Sequence, residues 1–168
     1  MNYFKLNPAD TVNGKGVRVS LFVSGCTHNC KGCFAKAEQN FNYGERFTDD
    51  HFYVLLSYLD KDYISGLSIL GGDPLAPKNF EFIKALCIGI KKEFPNKTIY
   101  IWTGYLFEEI DKELLEYVDG IVDGKFEEDK YSPELIGRGS SNQRTFLKHK
   151  GKWVEVEDIY SGVEENEF

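Results

Sequence analysis

Val17-Arg18-Val19-Ser20-Leu21-Phe22-Val23-Ser24 runs through Gly25 into Cys26-Thr27-His28-Asn29-Cys30-Lys31-Gly32-Cys33-Phe34. The first eight residues are β-branched and mostly apolar, the composition of a strand. Directly after them, three cysteines fall within eight residues, close enough for their thiolates to reach one small centre. The remaining cysteine, Cys87, lies more than fifty residues downstream. The loop therefore brings three sulfurs to the centre, not four.

Working outward, the pattern of strand, turn and helix repeats. Residues 1–16 read as a polar lead-in closing on the turn-rich Asn13-Gly14-Lys15-Gly16. Residues 35–47 show no clear period and are expected to wrap the cysteine loop. Thr48-Asp49-Asp50 opens a helix with acidic residues at its positive end, and Phe52, Leu55, Leu56 and Leu59 mark its inner face. Leu67-Ser68-Ile69-Leu70 is a short strand closed by Gly71-Gly72-Asp73-Pro74. Pro77 then opens a long helix whose buried face carries Phe80, Ile83, Cys87, Ile90 and Phe94, ended by Pro95. Thr98-Ile99-Tyr100-Ile101-Trp102 is a third strand, stopping at Thr103-Gly104. A helix follows from about Phe107 to Glu116, with Ile110 and Leu114 inward, and Gly120-Ile121-Val122-Asp123-Gly124 is a fourth strand and turn. Arg138 to Arg144 reads as a polar loop, Trp153 to Glu157 as an edge strand, and the acidic end, Glu164-Glu165-Asn166-Glu167, as frayed.

Alternating strands and helices predict an α/β fold with parallel pairing through right-handed crossovers. Ligands in such sheets gather at the carboxyl edge of the strands. The cysteine loop, the Gly-Gly-Asp-Pro turn, the Trp-Thr-Gly turn and the Asp-Gly turn each follow a strand, so they should meet there. With 168 residues, 42% apolar and 15% aromatic, the chain is expected to form one domain spanning 1–168. Repeats and linkers are absent, and the role of residues beyond about 145 stays open.

The net charge of −7 speaks against nucleic acid as a partner, since phosphate neutralisation needs clustered Lys and Arg. Lys148, Lys150 and Lys152 form the tight basic cluster and look like a solvated turn. No apolar run approaches the ~20 residues of a membrane span, and Met1-Asn2-Tyr3-Phe4-Lys5 lacks a secretory layout. A cytoplasmic protein is expected, with its thiols reduced.

Two metal chemistries compete for the cysteines. A structural zinc would need His28 or Cys87 as fourth ligand, but Cys87 falls on an apolar helix face, where a thiol packs as a small hydrophobe. The spacing His28-x-Cys30 also crowds a tetrahedron. A four-iron cluster takes thiolate ligands, and three of them leave one iron open to an outside molecule. Beside this, Asp73 reads either as a ligand carboxylate or as a turn residue before the Pro77 helix. Phe34 either approaches a bound ligand or seals the loop. Trp102 either lines a pocket or ends a buried strand. Asp123 either meets a ligand or is a solvated turn residue before Gly124. Arg138 and Arg144 flank a loop that either faces a partner or a carboxylate, or has no binding role.

The C-x3-C-x2-C spacing with Phe34 following it resembles the signature of radical S-adenosylmethionine enzymes. More narrowly, several stretches resemble the activating proteins of anaerobic (class III) ribonucleotide reductases. They are Val12-Asn13-Gly14, Gly25 to Cys30, Gly71 to Leu75, Trp102 to Tyr105, Val122 to Phe126, and Arg138 to Arg144. The resemblance spans about residues 10–145; Phe34 stands where Tyr is common.

That resemblance implies a partial, open (β/α) barrel of mostly parallel strands. It implies a [4Fe-4S] cluster on Cys26, Cys30 and Cys33, with S-adenosylmethionine on the open iron. Gly32, Cys33, Phe34, Gly71, Gly72, Asp73, Trp102, Thr103 and Asp123 are the implied cofactor-binding residues, Asp73 as acceptor for the methionine ammonium. The implied activity is reductive cleavage of S-adenosylmethionine and formation of a glycyl radical on the large subunit of anaerobic ribonucleoside-triphosphate reductase. A flavodoxin-like protein is the implied electron donor, and a homodimer is compatible with the residues. An activase for another glycyl radical enzyme and a non-catalytic zinc-stabilised module are the alternatives.

Overall fold

The computed structural model describes residues 1–161; the acidic run Glu164–Glu167 lies outside them. Its strands are β1 (Asn2–Asp10), β2 (Val17–Val23), β3 (Glu45–Arg46), β4 (Ile64–Gly71), β5 (Thr98–Trp102), β6 (Gly120–Asp123), β7 (Arg144–His149) and β8 (Lys152–Val156), and its α-helices are α1 (Asp49–Leu59), α2 (Pro77–Glu93) and α3 (Lys112–Tyr117). The eight strands form one sheet in the order β3-β1-β2-β4-β5-β6-β7-β8.

The parallel centre, β2-β4-β5-β6, is the part that the alternating pattern predicted. The expectation of mostly parallel strands is corrected at the edges. Four of the seven pairings are antiparallel, β1 with β2 and β3 on one side and β6-β7-β8 on the other. Residues 2–10 are thus a strand and not a lead-in. The register shift between Asn7 and Asp10 accommodates Pro8, which cannot donate to a ladder. The polar loop expected through Arg144 ends one residue earlier, because Arg144 opens β7.

Burial follows the two faces of the pleat. Val19, Leu21, Val23, Leu67, Ile69, Ile99, Ile101 and Ile121 are buried with Leu55, Leu59, Ile83 and Ile90 of the helices in one core cluster. Cys87 sits in that cluster, fully buried, and burial pushes its thiol up to about 12. It packs as a hydrophobe. Thr48 caps α1, with the His51 ring accepting from its backbone N–H at 3.0 Å. The helix expected over Phe107–Glu116 is split. A single 3-10 turn, Phe107–Glu109, precedes α3, which restarts at Asp111 with its carboxylate accepting from the Leu114 N–H at 2.9 Å.

The other face of the central strands carries Arg18, 0% exposed. Its guanidinium donates to Ser68 Oγ at 2.8 Å, Thr98 Oγ1 at 2.8 Å, and the Leu67 and Thr98 carbonyls at 3.0 Å, and it stacks 3.8 Å from the Tyr100 ring centre. Burial pushes its pKa down to about 10, yet the donors are met. This group bolts β2, β4 and β5 together near their amino ends and leaves the carboxyl edge to the site.

Candidate metal centre

At that carboxyl edge the four strand-end turns do meet. A cleft of about 290 Å³ is lined by residues of the cysteine loop, the Gly71–Asp73 turn, the Trp102–Gly104 turn and Gly124. Cys26, Cys30 and Cys33 all line it as free thiols of intermediate exposure. Burial pushes the Cys26 thiol up; the His28 backbone N–H offsets part of this, while Asp73 and the thiols of Cys30 and Cys33 add to it.

Close backbone packing holds the loop. Gly25 donates to the Glu38 carbonyl at 2.7 Å, Cys26 to that of Gln39 at 3.1 Å, and Asp73 N–H to that of Gly25 at 2.7 Å. The expectation that residues 35–47 wrap the loop describes these bonds. Gly72 is required where it stands, because a Cβ there would lie 2.5 Å from the Gly25 carbonyl oxygen. Gly25, at φ +101°, lies against the Phe41 ring, which a Cβ would strike at 2.0 Å.

Asp73 is the hub, 1% exposed. Its carboxylate accepts from the Leu75 N–H at 2.8 Å, the Thr103 hydroxyl at 2.9 Å, the Gly104 N–H at 2.9 Å and the His28 ring Nε2 at 2.6 Å. Its carbonyl accepts from the Asn79 amide at 3.0 Å, which also donates to the Ser24 carbonyl at 3.0 Å. The acceptor capacity that the sequence offered to a ligand ammonium is therefore taken up by protein donors. Asp73 joins the ends of β2, β4 and β5.

Thr103 is buried in that hub. Trp102, half-buried, lines the cleft while its indole N–H donates to the Gly137 carbonyl at 2.7 Å. Phe34 is 74% exposed at the mouth, its ring 5.3 Å from that of Phe126 and 5.5 Å from that of Tyr131. Gly32, at φ +74°, packs against the Glu128 side chain.

Asp123 is fully buried, which rules out a solvated turn residue. It accepts from the Phe107 N–H at 2.7 Å and is paired with Arg144 at 2.6 Å, and Arg144 also reaches Glu108 at 2.8 Å. Hydrogen bonds donated to the Glu108 and Asp123 carboxylates raise the Arg144 pKa above its ordinary value. Arg144 is thus a clamp between β6 and the Phe107 turn. Arg138 turns inward to the Ser141 and Gln143 carbonyls, at 3.1 and 2.5 Å.

Sequence reasoning missed Asn79 and the engagement of His28. It also missed Gln143, which accepts from Gly139 and Ser140 and donates to the Gly124 carbonyl. Each of these bonds spans a turn or a long stretch of chain and has no local signature.

A parallel-centred sheet with a three-thiol loop at its carboxyl edge defines an α/β protein with a candidate metal centre. The family described as a 4Fe-4S single cluster domain matches residues 12–146. The anaerobic ribonucleoside-triphosphate reductase-activating protein of Enterobacteria phage T4 is 47% identical over 154 residues, covering 91% of this chain and 98% of its own length. Its counterparts in Escherichia coli K12 and Haemophilus influenzae are 45% and 43% identical over 148 residues, each covering 85% of this chain and 96% of its own length. The chain belongs to the family of anaerobic ribonucleoside-triphosphate reductase-activating proteins. Among the described residues, no helix is long and apolar enough to cross a membrane.

Proposed function

We propose that this chain activates an anaerobic ribonucleoside-triphosphate reductase by radical S-adenosylmethionine chemistry. The observation that carries the reading is the three free thiols of Cys26, Cys30 and Cys33 converging on one cleft while Cys87 is sealed inside α2. Cys26, Cys30 and Cys33 would hold a [4Fe-4S] cluster, and three protein sulfurs for four irons would leave room for a cofactor. Bound there, such a cluster would supply the one-electron reduction that cleaves S-adenosylmethionine, the chemistry from which a glycyl radical on the reductase would arise.

The chain's own residues bind and orient. Gly71 and Gly72 present backbone to the cofactor at the end of β4, held there by close packing against the Val23 and Gly25 backbone. Trp102 and Thr103 form the adenosine side, with Gly32, Cys33 and Phe34 at the mouth. Asp73 and Asp123 serve by holding turns in place, since their oxygens already accept from the protein. The parallel centre, with all four site turns on one edge, supports a partial, open barrel whose edge a protein loop can reach. A flavodoxin-like protein supplies the electron, in a reducing, oxygen-poor cytoplasm.

The test is electron paramagnetic resonance on the reductase large subunit incubated anaerobically with reconstituted protein, reductant and S-adenosylmethionine. A glycyl radical signal is expected, dependent on all three components. A reductase that stays silent, while another glycyl radical enzyme responds, transfers the activity to that partner. Protein that retains zinc and cleaves no cofactor supports a zinc module instead.

A further inference from the structure

His28 lies inside the cysteine loop, between Cys26 and Cys30, and has no ligand role in the reading above. Its side chain is nevertheless 7% exposed, unusual for a polar residue in a loop whose neighbours Thr27, Asn29 and Lys31 point to solvent or the rim. Its ring Nε2 lies 2.6 Å from Asp73 Oδ2, and its face meets Tyr105 edge-on at 4.6 Å. A Cβ on Gly104 would stand 2.5 Å from the ring, so the absence of a side chain at that turn is what seats it. The acceptor is itself fixed by Thr103, Gly104 and Leu75. Cys26 Sγ, the His28 ring nitrogen and the Asp73 oxygen fall within 4.8 Å of one another.

We infer that His28 is a positioning residue: its hydrogen bond to Asp73 latches the middle of the cysteine loop to the ends of β4 and β5 and compensates the Asp73 charge beside Cys26. The inference rests on the cluster reading for its electrostatic half. A backbone of two glycines and short polar residues (Gly25, Thr27, Asn29 with φ 51°, Gly32) has little stiffness of its own. One buried side-chain anchor midway between the first two thiols is what can hold them in register. Outer-shell bonds of this type orient ligands and tune the metal. Reduction adds negative charge to a cluster, so a less compensated carboxylate nearby opposes it.

The experiment compares wild type with His28→Gln, which can still donate to Asp73, and His28→Leu, which cannot. His28→Asn, whose amide is too short to reach Oδ2, replaces the leucine variant should that one not fold. In metal-free protein, amide exchange over residues 26–33 is expected to be about tenfold faster in His28→Leu. In iron-loaded protein, the ratio of reduced to oxidised centre at a fixed potential is expected to fall about tenfold, equivalent to about 59 mV for one electron. Both changes should be largely reversed in His28→Gln. Wild-type exchange or wild-type potential in His28→Leu overturns the inference, as does a glutamine variant no better than leucine. Wild-type protein that takes up no four-iron cluster defeats the cluster reading separately, and the exchange comparison then decides the latch alone.

Discussion

Gly72→Ala is the smallest change that separates the fold from the site. The added methyl would meet the Gly25 carbonyl oxygen at 2.5 Å and its carbon and nitrogen at 2.8 Å, against about 3.4 Å for ordinary contact. These are backbone atoms, so no rotamer relieves the overlap; the end of β2 and the turn after β4 must part by roughly 0.9 Å. Gly25 cannot absorb the motion quietly, because it is pinned on its far side by the Glu38 carbonyl at 2.7 Å and immediately precedes Cys26. Overpacking of this kind costs about 1–3 kcal/mol, less than the whole stability of a domain of this size. The protein therefore folds with the first thiol displaced by several times the ~0.2 Å tolerance of a metal–ligand bond. Iron and sulfide analysis after anaerobic reconstitution, beside a thermal melt, reads both effects. Gly89→Ala in α2 is the control: its nearest neighbour is the Phe52 ring at 3.6 Å, and helix propensity predicts a gain of about 0.5–1 kcal/mol with iron unchanged. Full iron and wild-type cofactor affinity in Gly72→Ala would refute the reasoning.

Three further outcomes follow from particular contacts. Cys26→Ser, Cys30→Ser and Cys33→Ser should each abolish stable iron binding, whereas Cys87→Ala should keep it, as metal analysis will show. Arg18→Met should cost about 3–4 kcal/mol in urea unfolding, because buried acceptors on β4 and β5 lose a charged donor, while iron per folded chain stays at the wild-type value. A loss below about 1 kcal/mol would mean that the guanidinium is not the bolt described. Burial works against the Asp10 carboxylate, but hydrogen bonds from Ser20, Asn13 and Val12 hold its pKa below the ordinary 3.8. Its contribution to stability is therefore present above about pH 4 and lost as pH falls through the lower folded-state value. Asp10→Asn should flatten the acid limb of a stability–pH curve, and an unchanged limb would assign acid unfolding to other groups.

The central strands were readable because Val17–Val23 and Thr98–Trp102 carry β-branched and aromatic residues that announce themselves locally. The cysteine spacing was readable for the same reason, since all three thiols sit in one loop. β1 was not, because Asn7, Pro8 and Ala9 break its pattern and its pairing with β2 is interrupted by shifts of register. β7 was hidden behind the polar run ending at Arg144. Asp73 looked like a residue awaiting a ligand because its donors come from His28, 45 residues before it, and from Thr103 and Gly104, some 30 after. Two signals were present and unused. A charged Arg18 inside an apolar strand called for buried acceptors, and Gly104 after a strand called for a close neighbour, which is the His28 ring.

The electron paramagnetic resonance spectrum of the reduced, reconstituted protein, recorded before and after addition of S-adenosylmethionine, probes the open iron directly. A cluster held by Cys26, Cys30 and Cys33 alone should change its spectrum on binding the cofactor, as a new ligand enters. A spectrum indifferent to the cofactor, in protein that carries its full iron, would contradict a three-thiolate centre with a free corner.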